Sequence, residues 1–407
     1  MNDAPRDAGG AEARASNGQC PFDPLSDDLA RRPHEVYAEL RARCPVAHSD
    51  RWGGFTVLTR YRDVVKAATQ PRVFTSTEGI VVPKNPVSGR RAPMHYDPPE
   101  HTRYRRAMNA VFRDDRVLAR EDELRQLAGA LLDPLIGRDE PWDLVADFSS
   151  PFTCRVLARF LSLDDADGNV LDEHTQRFER AQVVLDSDTA EAENQFLYEM
   201  ARRIVRVRSA EPLDPELDLI TRMLSLAADE DDPIEFVAGT VRQLFIAGHV
   251  APTVAIGAVA LALIEDPELA QRLRSEPGLI ESAVEELLRL HTPNQGFSRT
   301  AAAATTVRGH HIEPGELVVL SYPSANRDPD VFPDPDRLVL DRAPNKHLAF
   351  GSGVHKCVGA TLARLELRVA VEELLTRTER LELTGQPVAF PWPMLGPAAI
   401  PVRASVR

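Results

Sequence analysis

Along most of this chain apolar residues return every three or four positions, the spacing that gives a helix one buried stripe. The pattern begins at Pro33, where the run His34 to Leu40 predicts an amphipathic helix, and it resumes briefly over Asp63 to Ala68. From about residue 116 to 230 it is nearly continuous, with breaks at Pro134, Pro141, Gly168 and the run Pro212 to Pro215. The longest apolar stretch, Phe236 to Ile264, is interrupted by Ala247, Gly248, His249, Val250, Ala251, Pro252 and Thr253. A proline inside a helix removes one N–H bond and collides with the preceding turn, so a kink is expected near Gly248, with a groove beside it. Trp52 to Leu58 predicts a strand pair with a tight turn between. The acidic segment Asp186 to Glu193 is expected to join two helices.

Composition narrows the class. A chain of 407 residues would by length alone suggest two or three domains. Its 43% apolar and 27% charged residues are those of a soluble globular protein. With 48 basic against 62 acidic residues the net charge is −14, which speaks against a nucleic-acid partner. No apolar run of about 18 residues and no secretory pattern stands near the N-terminus, so no membrane anchor and a cytoplasmic location are expected. Residues 1–20 read as a disordered tail and 21–407 as the folded domain. Cys20, Cys44, Cys154 and Cys357 have no paired or metal-finger spacing, so no structural disulfide is expected.

The chemistry concentrates in Phe350-Gly351-Ser352-Gly353-Val354-His355-Lys356-Cys357-Val358-Gly359. Cys357 is a soft metal ligand in its thiolate form. Glycines allow backbone N–H groups to turn toward the sulfur, and the helical run from Ala360 places Cys357 at a helix N-terminus that favours the anion. Upstream, His101 and Arg105 lie four apart on a helix that starts after Pro98 and Pro99, a spacing suited to clamping a carboxylate. Glu286 and Arg289 are three apart and close enough to pair.

The pattern F-G-x-G-x-H-x-C-x-G resembles that of the cytochrome P450 family, the heme-thiolate monooxygenases, and the likeness extends over nearly the whole chain. The resemblance implies one large catalytic domain, mainly α with a smaller β-rich part, wrapped around a buried heme b (iron protoporphyrin IX) with Cys357 as the iron ligand. It implies propionate contacts from His101, Arg105, Arg299, His347 and His355, and a buried triad of Glu286, Arg289 and Arg342. Walls of the substrate pocket would come from Ile80, Val81 and Val82, from Ala247, Val250 and Ala251, from Asn294, Gln295 and Phe297, and from Met394 and Leu395. The expected reaction is insertion of one oxygen atom from dioxygen into a small, mainly apolar substrate. Nothing in the chain reads as a flavin or nicotinamide site, so a separate ferredoxin and its reductase would supply electrons. Arg103, Arg106, Arg113, Lys346, Lys356 and Arg364 would form a basic docking face for it on a monomeric enzyme.

One departure from the family pattern stands out. Relatives carry an acid and an alcohol two and three residues after the kink glycine, and these relay protons; here the positions hold Val250 and Ala251. Gly248, His249 and Thr253 are the remaining catalytic candidates, but in a regular helix Thr253 would point about 200° away from the groove. The expectation is that water or a polar group of the substrate carries protons. Two rivals follow: a peroxide-driven peroxygenase, and a heme-binding sensor or carrier without turnover.

Overall fold

The computed structural model describes residues 20–84, 90–184 and 186–406. The tail expected over residues 1–20 lies outside these apart from Cys20. Nine helices carry the argument: α1 (Pro33–Arg43), α2 (Glu100–Val111), α3 (Ser150–Phe160), α4 (Asp165–Val183), α5 (Ser187–Ala210), α6 (Pro233–Ala247), α7 (Val250–Glu265), α8 (Ile280–Leu290) and α9 (Ala360–Arg377). Their starts are set by side-chain caps. Asp164, Asp186 and Asp232 accept from the N–H groups of Asp167, Thr189 and Glu235, opening α4, α5 and α6. Asp186 to Glu193 is therefore the cap and first turns of α5, not a connection: an aspartate before a helical run is a start signal, and its acids suit the positive end of the helix dipole.

The helical core is one apolar cluster that runs from Tyr104 on α2 through Phe152, Phe245 and Ile256 to Leu374 on α9. Each such side chain contributes about 1.5–3 kcal/mol on burial. The α6–α7 run, Pro233–Glu265, is long and apolar enough to cross a membrane, yet 67% of its most apolar window is buried inside the protein. That is the environment of a central core helix.

A five-stranded sheet stands beside the helices. Its strands are β1 (Val46–Ser49), β2 (Phe55–Leu58), β3 (Phe74–Thr75), β4 (Phe297–Ala301) and β5 (Leu317–Leu320), in the order β1-β2-β5-β4-β3. The strand pair expected within Trp52 to Leu58 is corrected: only β2 lies there, and its partner is the upstream β1, in register Val46 with Leu58 and Ser49 with Phe55. Trp52 lies in the connecting turn at φ 52°. The sequence pattern hides β1 because both strands are buried almost throughout, which removes the alternation.

The expectation of no disulfide is corrected. Cys20 and Cys44 are paired, with their Cα atoms 5.8 Å apart. His48 N–H donates to Cys20 O and Phe22 N–H to His48 O, which lays the N-terminal segment along β1 and beside the end of α1, where Cys44 sits. The partners are 24 residues apart, and only this strand addition brings them together.

Candidate active site

Cys357 sits in a loop that only glycine permits. Gly351 and Gly353 have φ of +67° and +72°, and a Cβ on Gly353 would collide with the backbone carbonyl of Ala68. The loop is fixed at Cys357 itself, whose N–H donates to Phe350 O at 2.8 Å. α9 begins three residues later. Burial pushes the Cys357 thiol up, while Gly359 N–H and the guanidiniums of Arg105 and Arg364 pull the other way. The residue is nevertheless accessible, so its free face opens onto an internal space.

Four cationic or donor side chains converge on that space. His101 and His355 stack edge to face at 4.5 Å, and the Nε2 atom of each is buried without a hydrogen-bond partner. Arg299 is buried, and its Nη1 donates only to the neighbouring carbonyl of Ser298. Burial, then the charges of Arg299, His101 and Arg105, hold His355 down to about 3. Asp97 is the nearby acid, 4.0 Å from His355 Nε2. An accessible thiol beside the buried, unpartnered Nε2 atoms of His101 and His355, the buried Arg299 and the half-buried Arg105 fits a planar iron cofactor with two carboxylate tails, since the buried donors would otherwise be left unsatisfied. His347 is not in this set: its Nε2 lies 3.1 Å from Glu285 and its Nδ1 accepts from Ala349 N–H, so both ring nitrogens are taken.

Beneath the loop, Glu286 accepts from Arg289 through two bonds of 2.8 Å and from Arg342 Nε at 2.9 Å. Asn345 and the N–H of Val339 complete its shell, at 3.1 Å each. The expected triad is formed.

The second element of the site is the helix break. α6 ends at Ala247 and α7 begins at Val250, with Gly248 N–H still bonded to Leu244 O. Pro252 has no N–H to offer the carbonyl of Gly248, which is where the ladder fails. A Cβ on Gly248 would press on Leu244 O and Leu157, so glycine also lets α3 approach. Ala247 is exposed in the middle of this core helix, hence its face is a cavity wall. Val250, Val254, Phe390 and Met394 form a separate apolar cluster with Val183, Ile246 and Ala251 packed against it. Val250, Ala251 and Met394 are thus brought together as expected; Val183, Ile246 and Phe390 were not anticipated, although Ile246 lies on the same helix face.

The remaining candidates divide. Gln295 is structural: its carbonyl oxygen accepts from Tyr37 Oη at 2.7 Å and its nitrogen donates to Met394 O at 2.9 Å. Phe297 packs against Tyr322 and the sheet cluster, and Val82 joins Phe22, Tyr37 and Phe55. Successive strand residues face opposite sides, so these positions could not all point inward. Asn294 accepts from Gly296 N–H and bridges Met394, Ile80 accepts from Ser298 N–H, and Val81 is half-buried. Leu395 is half-buried, its N–H bonded to Pro293 O.

Thr253 and His249 face away from the cavity wall. Thr253 Oγ1 lies 2.7 Å from Thr153 Oγ1, which lies 2.9 Å from His249 Nδ1. His249 Nε2 stands 3.3 Å from Glu179 on α4. The network is buried throughout and ties α3, α4 and the helix break together. Their roles as direct proton donors are corrected accordingly: the helical twist turns both side chains toward α3. Burial, with Asp172 nearby and Arg180 opposing, pushes Glu179 up to about 8, and burial holds His249 down to about 3. Between about pH 4.5 and 8 the fold keeps a proton on Glu179 that the unfolded chain has released, so this group makes stability fall as pH rises. Glu179→Gln should flatten that fall in thermal melts taken from pH 5 to 8; an unchanged slope would place the proton elsewhere.

A family model described as Cytochrome P450 matches residues 170–396. The chain is 32% identical over 400 residues to Cytochrome P450 107B1 of Saccharopolyspora erythraea, covering 93% of this chain and 96% of the relative. The chain belongs to the cytochrome P450 family. It is also 34% identical over 385 residues to the mycinamicin IV hydroxylase/epoxidase of Micromonospora griseorubida, covering 90% and 94%. Among solved structures, the Mycobacterium marinum CYP268A2 complex with pseudoionone is similar at a TM-score of 0.83 and 29% identity, covering 92% of this chain and 95% of that one. As a P450, the protein is a heme b monooxygenase, and the accessible Cys357 with His101, Arg105 and Arg299 grouped around His355 is a residue set that fits such a group.

The basic face is smaller than its sequence list. Arg113 pairs with Asp115, Arg364 with Glu285 at 2.6 Å, and Arg103 turns to Leu226 O and Asp229. Arg106, Lys346 and Lys356 remain exposed, and among the described residues no carboxylate lies within ion-pair distance of them.

Proposed function

We propose that this P450 hydroxylates or O-dealkylates a small, mainly apolar molecule, using dioxygen and electrons from a separate ferredoxin and its reductase in the cytoplasm, as a monomer. The observation that carries this reading is the accessible Cys357 in its glycine-turned loop, together with an apolar cluster between α7 and the Phe390–Met394 segment. When bound, heme supplies the oxygen chemistry, with thiolate ligation favouring O–O cleavage. The protein's part is to orient and shield. Val250, Val254, Phe390 and Met394 exclude bulk water and select an apolar body. With Val250 and Ala251 lacking acidic protons, and Thr253 bonded to Thr153, proton delivery falls to water or to the substrate.

Thr253→Ala should therefore leave product formed per NADH consumed within about twofold, because the hydroxyl lies off the cavity wall. A collapse of that ratio would put Thr253 in the relay. The ferredoxin reading is supported by Arg106, Lys346 and Lys356, free cations on a protein of net charge −14. Heme reduction by an acidic ferredoxin should slow as salt rises and slow further in Lys356→Glu; salt-independent reduction would remove this docking face. The missing acid and alcohol favour a second reading, a peroxygenase. Turnover with peroxide alone that exceeds turnover with the electron-transfer chain would establish it.

A further inference from the structure

Two arginines lie inside this protein without a carboxylate in ion-pair contact. Arg91 is buried, its Nε donating to Tyr198 Oη at 3.2 Å and its Nη1 to Gln243 Oε1 at 2.8 Å. Arg242, adjacent to Gln243 on α6, is buried too and donates to Asn194 Oδ1, while its Nε has no partner. Among the described residues no carboxylate lies within 4.0 Å of either guanidinium, and Arg91 Nη2 has no hydrogen-bond partner. Burial, and then the neighbouring charge of Arg91, bring Arg242 down to about 10 against the weaker opposing pull of Tyr198 and Glu191. A guanidinium does not shed its proton to relieve such a situation. A buried charge that keeps its proton calls for an anion.

The position of the pair indicates where that anion comes from. Gln243 and Ala247 are four residues apart on one face of α6, and both are accessible while Val241, Arg242, Leu244 and Phe245 are buried. Ala247 belongs to the cavity wall described above. Gln243, and with it the Arg91 guanidinium, therefore stands about one helical turn, roughly 5–6 Å, further along the same wall. Arg91 Nη2, Arg242 Nε and Arg242 Nη1 carry no hydrogen bond among the described residues, enough donors for the two oxygens of a carboxylate.

We propose that Arg91, held by Gln243 and Tyr198 and backed by Arg242, binds the carboxylate of an organic-acid substrate whose apolar body lies along Ala247 and Val250. This names the substrate class for the oxygen-insertion reading and rests on it. The polar handle of the substrate is then met from the roof of the pocket, by α5, α6 and the segment before α2, and not by Gln295.

The test is calorimetric binding of a matched series of alkyl and aryl carboxylic acids and their methyl esters to the ferric holoenzyme. At least one acid should bind about tenfold or more tightly than its ester, the size of a charge-assisted hydrogen bond. Arg91→Gln should remove that preference while leaving ester binding within about twofold, and Arg91→Lys should retain part of it. Equal binding of every acid and ester, no binding by any acid, or a preference that survives Arg91→Gln would each overturn the proposal. If Arg91→Gln does not take up heme, the acid-to-ester comparison on the unaltered enzyme and on Arg91→Lys decides alone. The oxygen-insertion reading fails on a different result, the absence of dioxygen-derived oxygen in product, so the two failures are distinguishable.

Discussion

Glu286→Ala should cost about 3–5 kcal/mol of stability and leave the protein unable to retain heme, because it strands the buried charge of Arg289. Glu286 and Arg289 are fully buried, and the carboxylate gathers Arg289, Arg342, Asn345 and the N–H of Val339. Arg289 also donates to the carbonyls of Asn326, Pro335 and Arg337, so this one ion pair joins α8 to the meander that leads into the Cys357 loop. Burial pushes Glu286 up, but its two arginines outweigh it and hold the carboxyl below its usual range. Stabilisation from this group is thus present above about pH 4.5 and is lost as pH falls through the lowered value. Denaturant unfolding and the ratio of heme to protein measure the effect. Full heme occupancy with a loss below about 1 kcal/mol would mean the triad is dispensable.

Cys357→Ala should abolish thiolate ligation and lower turnover on the order of 10^3-fold or more, as expected when one member of a catalytic unit is removed. The fold should survive. The loop is tied by the Cys357 backbone N–H to Phe350 O and by Gly351 and Gly353, none of which the substitution touches. The absorbance of the reduced carbon monoxide complex reports the ligand directly: the unaltered protein should show the thiolate-type Soret band and the variant should not. A thiolate-type band in Cys357→Ala would assign the ligand elsewhere. Cys154, the other free cysteine, is buried on α3 with its sulfur against Thr175 of α4 and is no substitute.

The thiolate loop and the Glu286–Arg289 pair were legible in the sequence because their chemistry is local: a ten-residue loop, and an acid and a base one helical turn apart; Arg342, 56 residues on, came only from the family resemblance. The helix break was legible for the same reason, through Pro252 and Gly248. What escaped was set by distant packing. Gln295 and Phe297 look like pocket residues in a strand, but Tyr37, more than 250 residues upstream, claims the first, and the sheet claims the second. His347 reads as one more cation near the heme until Glu285 is seen beside it. The Glu179–His249–Thr153–Thr253 network joins three helices, and no single stretch of sequence contains it. Arg91 lies in a turn-rich segment without periodicity, and only the fold sets it against Gln243.

The central claim is that Cys357 and the helix break form an oxygen-inserting site. Its most direct test is turnover of a ligand that shifts the ferric heme from low to high spin, carried out under isotopically heavy dioxygen with a ferredoxin, its reductase and NADH. One heavy oxygen atom per product molecule, with NADH consumed, is the result the structure predicts. Product with oxygen from water or from added peroxide, or spin-shifting ligands that are never converted, would contradict it.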